Sequence, residues 1–315
     1  MTQPVLPLSF QPLYKTRVWG GRNLASRYQR DLPDEQPYGE SWEIVDRADD
    51  QSVVHSGPFA DKTLHELWKN HRNEIFGESF PDSERFPLLI KILDCQEDLS
   101  VQVHPPADLA PSLGGEPKTE MWYLAQAEPH ASLYVGLRNG VTRDDFEKAI
   151  NDGTVAEVVH RIQPQSDDSI FIASGRLHAI GGGNLIFEIQ QNSDTTYRVF
   201  DWNRVGLDGK PRELHIDESL ASIDFEDFEP EMDQADGDTL ASCPYFQTDR
   251  LSISSGSELS NPNPESFSIV AVVSGSLQDQ ANQEYQDGDF LLLPRHAAPL
   301  KACKNAEVLQ ITLPK

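Results

Sequence analysis

Hydrophobic and polar positions alternate with a period of two through most of this chain, the spacing of strands with one face buried. PYGESWEIVDR (37–47), SVVHSGPF (52–59), ASLYVGL (131–137), DSIFIA (168–173), NLIFEIQQ (184–191) and TTYRVFDW (195–202) all read as strands. FPLLIKILD (86–94) is a nearly continuous apolar strand, and FSIVAVVSGSL (267–277) and DGDFLLLPRHA (287–297) are the clearest later ones. A helical period is rarer. In TLHELWKNHRNEIF (63–76) Leu64, Leu67, Trp68, His71 and Ile75 recur at helical spacing, and Thr63 with Glu66 forms a capping box. TRDDFEKAIN (142–151) starts on the cap residue Thr142, and Thr154 to His160 reads as a second short helix after Gly153. The fold class that follows is mainly β, with a few inserted helices.

A weak internal repeat divides the strands into two related barrels. Asp168-SIFIAS and Asp289-FLLLPR are each an acid, an apolar strand and a small or polar corner. Aligning the two acids sets Pro299 opposite His178, so the second copy reads as structural and metal-free. Between Glu213 and Asp249 there is no Lys or Arg, which reads as a solvated helix and linker. The expected division is therefore a catalytic domain over 1–235, with an N-terminal arm and helices, and a C-terminal β domain over 236–315.

Composition narrows the function. The chain has 315 residues and a formal net charge of −25, from 51 acidic and 26 basic side chains. That charge opposes binding to nucleic acid, and a phosphorylated substrate would need a local basic patch. No apolar run reaches the roughly 18 residues of a membrane span, and the N-terminus lacks the pattern of a signal peptide. Cys95, Cys243 and Cys303 have no metal or redox spacing and read as thiols of a reducing compartment. The expectation is a cytoplasmic protein, monomer or small homo-oligomer, acting on a small molecule.

The chemistry concentrates in LSVQVHPPADLAPSLGGEPKTEMWYL (99–124) and SGRLHAIGGG (174–183). Ser100, Gln102 and His104 share one strand face, and Lys118, Glu120 and Trp122 repeat that arrangement. With His178 they make a mixed N/O donor set that suits Zn, Fe, Mn or Ni. The plainer alternative has Gln102 and Glu120 facing solvent and His104 in a turn. Glu188 is an inward acid or an exposed one. Arg198 is a pocket cation for phosphate or an oxyanion, or a surface ion-pair partner. Gly181, Gly182 and Gly183 lack any phosphate-loop fingerprint and read as a turn.

LSVQVHP, KTEMWY, GRLHAIGGG and EIQQNSDTTYRVFDW, in this order, resemble type I phosphomannose isomerase in its short bacterial form. YKTRVWGG and YGESWEI resemble that family's N-terminal elements. The resemblance implies two cupin-type jelly-roll barrels, one bound Zn2+ per chain, and interconversion of mannose 6-phosphate and fructose 6-phosphate. It sets the metal ligands on Gln102, His104, Glu120 and His178 and the active-site arginine on Arg198. Ser100, Lys118 and Glu188 fall on pocket positions; Glu188 is the candidate base, Lys118 a second positive charge, and Ser100, Lys118 and Arg198 the candidate substrate contacts. His55, His65, His71, His130, His160, His215 and His296 acquire no role. The chain departs from the family at Pro106, Leu109 and Pro117, all in the loop between ligands. The rivals are another cupin metalloenzyme, such as an iron-dependent dioxygenase, and a non-catalytic sugar-phosphate-binding protein.

Overall fold

In the computed structural model, which describes residues 5–78 and 83–314, the alternating stretches become strands in two compact units. One comprises 14–42 and 90–233; the other 1–13, 43–89 and 234–315. The N-terminal arm and the helices after Thr63 therefore pack with the C-terminal strands, where the sequence reading had grouped them with the metal-binding stretch. The cause is pairing. Strand Leu8–Gln11 runs antiparallel to Phe290–Leu293 on one side and to Val53–Val54 on the other. A cluster of aromatic rings reinforces this, with Phe267 against Phe76 and Phe86 at centroid distances of 5.3 and 5.4 Å.

The first unit is a sandwich of two antiparallel sheets. One has six strands, in the order Ser169–Ile172, Glu120–Ala127, Asn184–Gln191, Leu88–Cys95, Tyr38–Ile44, Leu13–Gly21. The other has five, ordered Tyr197–Phe200, Val101–Val103, His178–Ile180, Leu133–Leu137, Val159–Ile162. Trp122, Leu124, Ile170 and Ile186 from the six-stranded sheet meet Leu133, Val135 and Ile180 from the five-stranded one, forming the dry part of the interior. Val101, Val103 and Val199 point the other way and pack with Phe146, Ile216 and Leu220 under the helices. Alternation along a strand thus divides dry packing from the residues left for chemistry.

The other unit repeats the plan with seven-stranded and four-stranded sheets around Val270, Val272, Leu291, Leu293 and Val308. The internal repeat is a real turn in both units. Asp168 accepts the backbone N–H of Gln165 at 2.7 Å, and Asp289 that of Gln286 at 2.9 Å. Each carboxylate thereby closes the turn that launches its apolar strand.

Three helical expectations needed correction. The helix after Thr63 has the capping box but breaks at His71 into Leu64–Asn70 and Arg72–Ile75. Thr154 to His160 is no helix: a single 3-10 turn, Val155–Glu157, leads directly into the strand Val159–Ile162. Val158 and Val159 are β-branched, which favours the pleated surface. The acid-rich stretch after Glu213 does form a helix, Ile216–Ser222, but one docked by Ile216 and Leu220 into the core.

Phe267 is fully buried among rings. Phe267→Ala is expected to destabilise the unit that holds it by about 3–5 kcal/mol, the range for deleting a core aromatic. Urea unfolding followed by fluorescence measures this, and an unchanged midpoint would contradict the packing described.

Candidate metal centre and active site

Strand register gathers the polar residues. In the five-stranded sheet Arg198 lies directly opposite Gln102, and Gln102 lies opposite His178 on its other side. Directly opposed residues project to the same face, so three adjacent strands present three polar side chains side by side. In the six-stranded sheet Glu188 lies opposite Trp122, and Glu120 two residues away on the same face. These faces border a cavity of about 600 Å³ whose walls include Ser100, Gln102, Lys118, His178, Glu188 and Arg198.

His104, Glu120 and His178 converge, with one potential ligand atom from each within 4.8 Å of the others. All three are buried. The imidazole orientations are set by backbone. His104 Nδ1 donates to the Thr195 carbonyl at 2.8 Å and His178 Nδ1 to the Arg176 carbonyl at 2.8 Å. Each ring therefore turns an unprotonated Nε2 toward Glu120, at 3.6 Å from His104 and 3.8 Å from His178. This is how metal-ligating histidines are held, with the second nitrogen fixed by an outer acceptor. Burial pushes both histidines below their ordinary pKa, and the nearby Lys118 charge adds to this; His104 falls to about 3. Both rings are neutral at physiological pH, the state a metal requires.

Glu120 is the anion of the cluster. Burial would raise its pKa, but the adjacent Lys118 ammonium outweighs that and holds it well below the usual carboxylate range. Its Oε2 faces the Lys118 ammonium at 2.8 Å, while its buried Oε1 meets no hydrogen-bond donor among the described residues. A buried carboxylate oxygen left without a donor, beside two imidazole lone pairs, fits a divalent cation well. Gln102 Nε2 lies 3.3 Å from His178 Nε2. A half-turn of that amide would offer its oxygen to the same cation.

The loop that carries the departures from the family pattern is pinned beside the cluster. Pro106 O accepts the N–H groups of Leu109 and Ala110 and starts the turn leading into Ala110–Leu113. Tyr197 Oη donates to Leu113 O at 3.0 Å, and Thr195 Oγ1 accepts Glu116 N–H at 2.9 Å.

Around the cluster stand residues the sequence reading did not single out. Lys91 Nζ lies 3.0 Å from Glu188 Oε2, and Trp122 Nε1 donates to Glu188 Oε1 at 3.2 Å. Glu188 is therefore the inward acid of the two alternatives, and it is paired with a charge. Lys91 was detectable as the lone charge within LLIKIL (88–93). Glu40 pairs with Arg17, and Arg212 makes a bidentate pair with Asp201 at 2.6 and 2.7 Å. His215, given no role earlier, lines the cavity, and its N–H donates to the Arg198 carbonyl. The glycine run is a turn, as expected: a side chain on Gly182 would come within 2.7 Å of the Gln96 carbonyl oxygen.

Two packed antiparallel sheets beside a cavity, with His178 on its wall and His104 and Glu120 converging on it, define a cupin-type barrel with a candidate metal centre. The description "Phosphomannose isomerase type I, catalytic domain" matches residues 8–129. Mannose-6-phosphate isomerase ManA of Bacillus subtilis is 35% identical over 316 residues, covering 96% of this chain and 98% of the relative. Mannose-6-phosphate isomerase of Streptococcus mutans is 34% identical over 298 residues, covering 91% and 92%. The crystal structure of the Bacillus subtilis mannose 6-phosphate isomerase matches with a TM-score of 0.87 at 31% identity, covering 99% of this chain and 100% of that one. A mannose 6-phosphate isomerase structure bound with zinc and yttrium shares the fold, with a TM-score of 0.76 at 15% identity over 98% and 100% of the two chains. The chain belongs to the type I phosphomannose isomerase family, and it is an enzyme.

Glu40 makes the site's electrostatics measurable. Burial raises its pKa, but Lys91, Arg17 and the Trp42 N–H outweigh this and bring it to about 2, from 4.5. A depressed carboxylate contributes stability that is complete above about pH 4.5 and is lost as the pH falls toward 2. The stability gap between the native protein and Glu40→Gln should narrow between about pH 7 and about pH 3 in denaturant titrations. A gap independent of pH would contradict the ion-pair assignment.

Proposed function

We propose that the chain is a zinc-dependent aldose–ketose isomerase that interconverts mannose 6-phosphate and fructose 6-phosphate through a cis-enediol. The observation that carries this reading is the His104–Glu120–His178 cluster beside a cavity that also holds Lys118, Glu188 and Arg198. Membership of the family adds the substrate. The proposed ligands are Gln102, His104, Glu120 and His178, for one Zn2+ per chain. When bound, the metal supplies Lewis-acid polarisation of the substrate oxygens.

The chain's own residues do the rest. Glu188 is the proposed base: it accepts the C2 proton of the open-chain aldose, and the bonding pair moves into the C1–C2 bond while negative charge grows on O1. Return of that proton from Glu188 to C1, with the O2 proton passing to O1 as the C2 carbonyl forms, completes the ketose. Both Glu188 oxygens already have a partner, in Lys91 and Trp122, but a carboxylate oxygen carries a second lone pair able to take the proton. Lys118, between Glu120 at 2.8 Å and Glu188 at 4.0 Å, is held as an ammonium by those two carboxylates and stabilises the developing oxyanion. Arg198 donates from Nε to Ser100 Oγ at 3.1 Å and from an Nη to Glu213 O at 2.9 Å, a fixed guanidinium for the phosphate or the enediolate.

The setting of the proposed enzyme is the cytoplasm, with a sugar phosphate as its small-molecule partner and neither nucleic acid nor membrane. Cys95, Cys243 and Cys303 are free thiols, and no described helix is long and apolar enough to cross a membrane.

A coupled assay for fructose 6-phosphate should show turnover that a chelator abolishes and zinc restores. No product from fully metal-loaded protein would overturn the isomerase reading; iron with oxygen consumption would support a dioxygenase instead. Glu188→Gln should lower kcat by about 100-fold or more, the usual contribution of a general base. Full turnover in that variant would remove Glu188 from the mechanism.

A further inference from the structure

The cavity wall contains an arginine held with more care than a surface ion pair needs. Arg17 lies on the strand Leu13–Gly21, and its Nε donates to Glu40 Oε1 at 2.7 Å. The other oxygen of that carboxylate accepts the Trp42 indole N–H at 2.6 Å, so Glu40 is itself fixed. Glu40 is nearly buried, at 12% side-chain exposure, while Arg17 keeps 34%. The stem of Arg17 is seated as well. A Cβ on Gly39 would come within 2.6 Å of Arg17 Cβ and 2.8 Å of its Cγ. A glycine and a buried glutamate are thus used to hold one guanidinium in one pose.

Part of its donor set is uncommitted. One Nη of Arg17 reaches the Thr16 carbonyl at 3.1 Å, and the other meets no acceptor among the described residues. Arg198 is in the same condition, with Nε on Ser100, one Nη on Glu213 O and the second Nη free of protein acceptors. Both residues line the same cavity. Arg212 lines it too, but its charge is taken up by Asp201. Asp194 and Asp208 are also on the wall, but neither is paired with Arg17 or Arg198. The charges of Arg17 and Arg212 reach Arg198, and with burial as the larger cause they lower its pKa. Mutually repelling guanidiniums in a protein of net charge −25 are best offset by a dianion between them.

We propose that Arg17, clamped by Glu40 and seated over Gly39, is a second guanidinium that contacts the substrate phosphate and sets the preference for phosphorylated over neutral sugar. Glu40 and Gly39 are positioning residues that act through it. The proposal rests on the reading of the substrate as a sugar phosphate. A fixed fork with two partners suits phosphate, and a lysine would not reproduce it.

The test uses the metal-loaded full chain as wild type, Arg17→Met, Arg17→Lys and Glu40→Gln, with thermal unfolding to show that each variant folds. Arg17→Met should raise KM for mannose 6-phosphate by about 10- to 100-fold, the effect of losing one charge-assisted contact, and more than it lowers kcat. Arg17→Lys should recover only part of this, and Glu40→Gln should shift KM in the same direction by less. The ratio of kcat/KM for mannose 6-phosphate to that for mannose should fall with KM. Calorimetric binding of inorganic phosphate should weaken in parallel. An unchanged KM and an unchanged phosphate affinity in folded Arg17→Met would overturn the proposal. Phosphate binding that depends on Arg17, in a wild type without isomerase turnover, would instead overturn the substrate reading and leave the anion site standing. Absence of both turnover and phosphate binding in the wild type would overturn both.

Discussion

The site is organised around one buried negative charge. Glu120 lies inside the barrel with no solvent exposure, and isolating a carboxylate there would cost several kcal/mol. Its surroundings compensate with one charge. Lys118 offers an ammonium at 2.8 Å, whereas His104 and His178, whose Nδ1 protons are bound to backbone carbonyls, turn neutral Nε2 lone pairs toward it. One carboxylate oxygen still lacks a donor, which leaves the cluster electrostatically suited to a cation. The ion-pair network continues through Lys118 to Glu188 and Lys91, so the candidate metal centre and the candidate base share one set of charges.

The two-sheet architecture is what makes this affordable in geometry. Antiparallel register sets Arg198, Gln102 and His178 abreast on three strands, each reached by a different connection of the chain. The opposite faces of those strands carry Val101, Val103 and Val199 into the helix-covered core. Shifting any one strand by a single residue would exchange the two sets, sending polar groups into the dry core. Folding and the placement of the site are therefore the same constraint. The unit built on 234–315 has the same turn at Asp289 but surrounds it with Val270, Val272, Leu291 and Val308.

Much of this was legible in the chain. Alternation identified the strands, and family motifs identified Gln102, His104, Glu120, His178 and Arg198, all of which the fold brings to one cluster or its adjoining wall. What escaped was of two kinds. Lys91, Glu40 and Arg17 become neighbours through sheet order, which period-two patterning does not encode. His215 follows the same logic, meeting Arg198 through a backbone contact across a loop. The grouping of the N-terminal arm failed for a related reason. Leu8–Gln11 pairs with Phe290–Leu293, a contact across nearly the full length of the chain. The break at His71 and the strand at Val159 were local errors, made where apolar spacing suits either structure.

The central claim is that His104, Glu120 and His178, with Gln102, bind one divalent metal. Metal content per chain, measured by mass spectrometry after purification and dialysis, addresses it without reference to turnover. About one zinc per folded wild-type chain is expected, with most of that metal lost in folded Glu120→Gln and His178→Ala. Retention of the full metal content by both variants would contradict it.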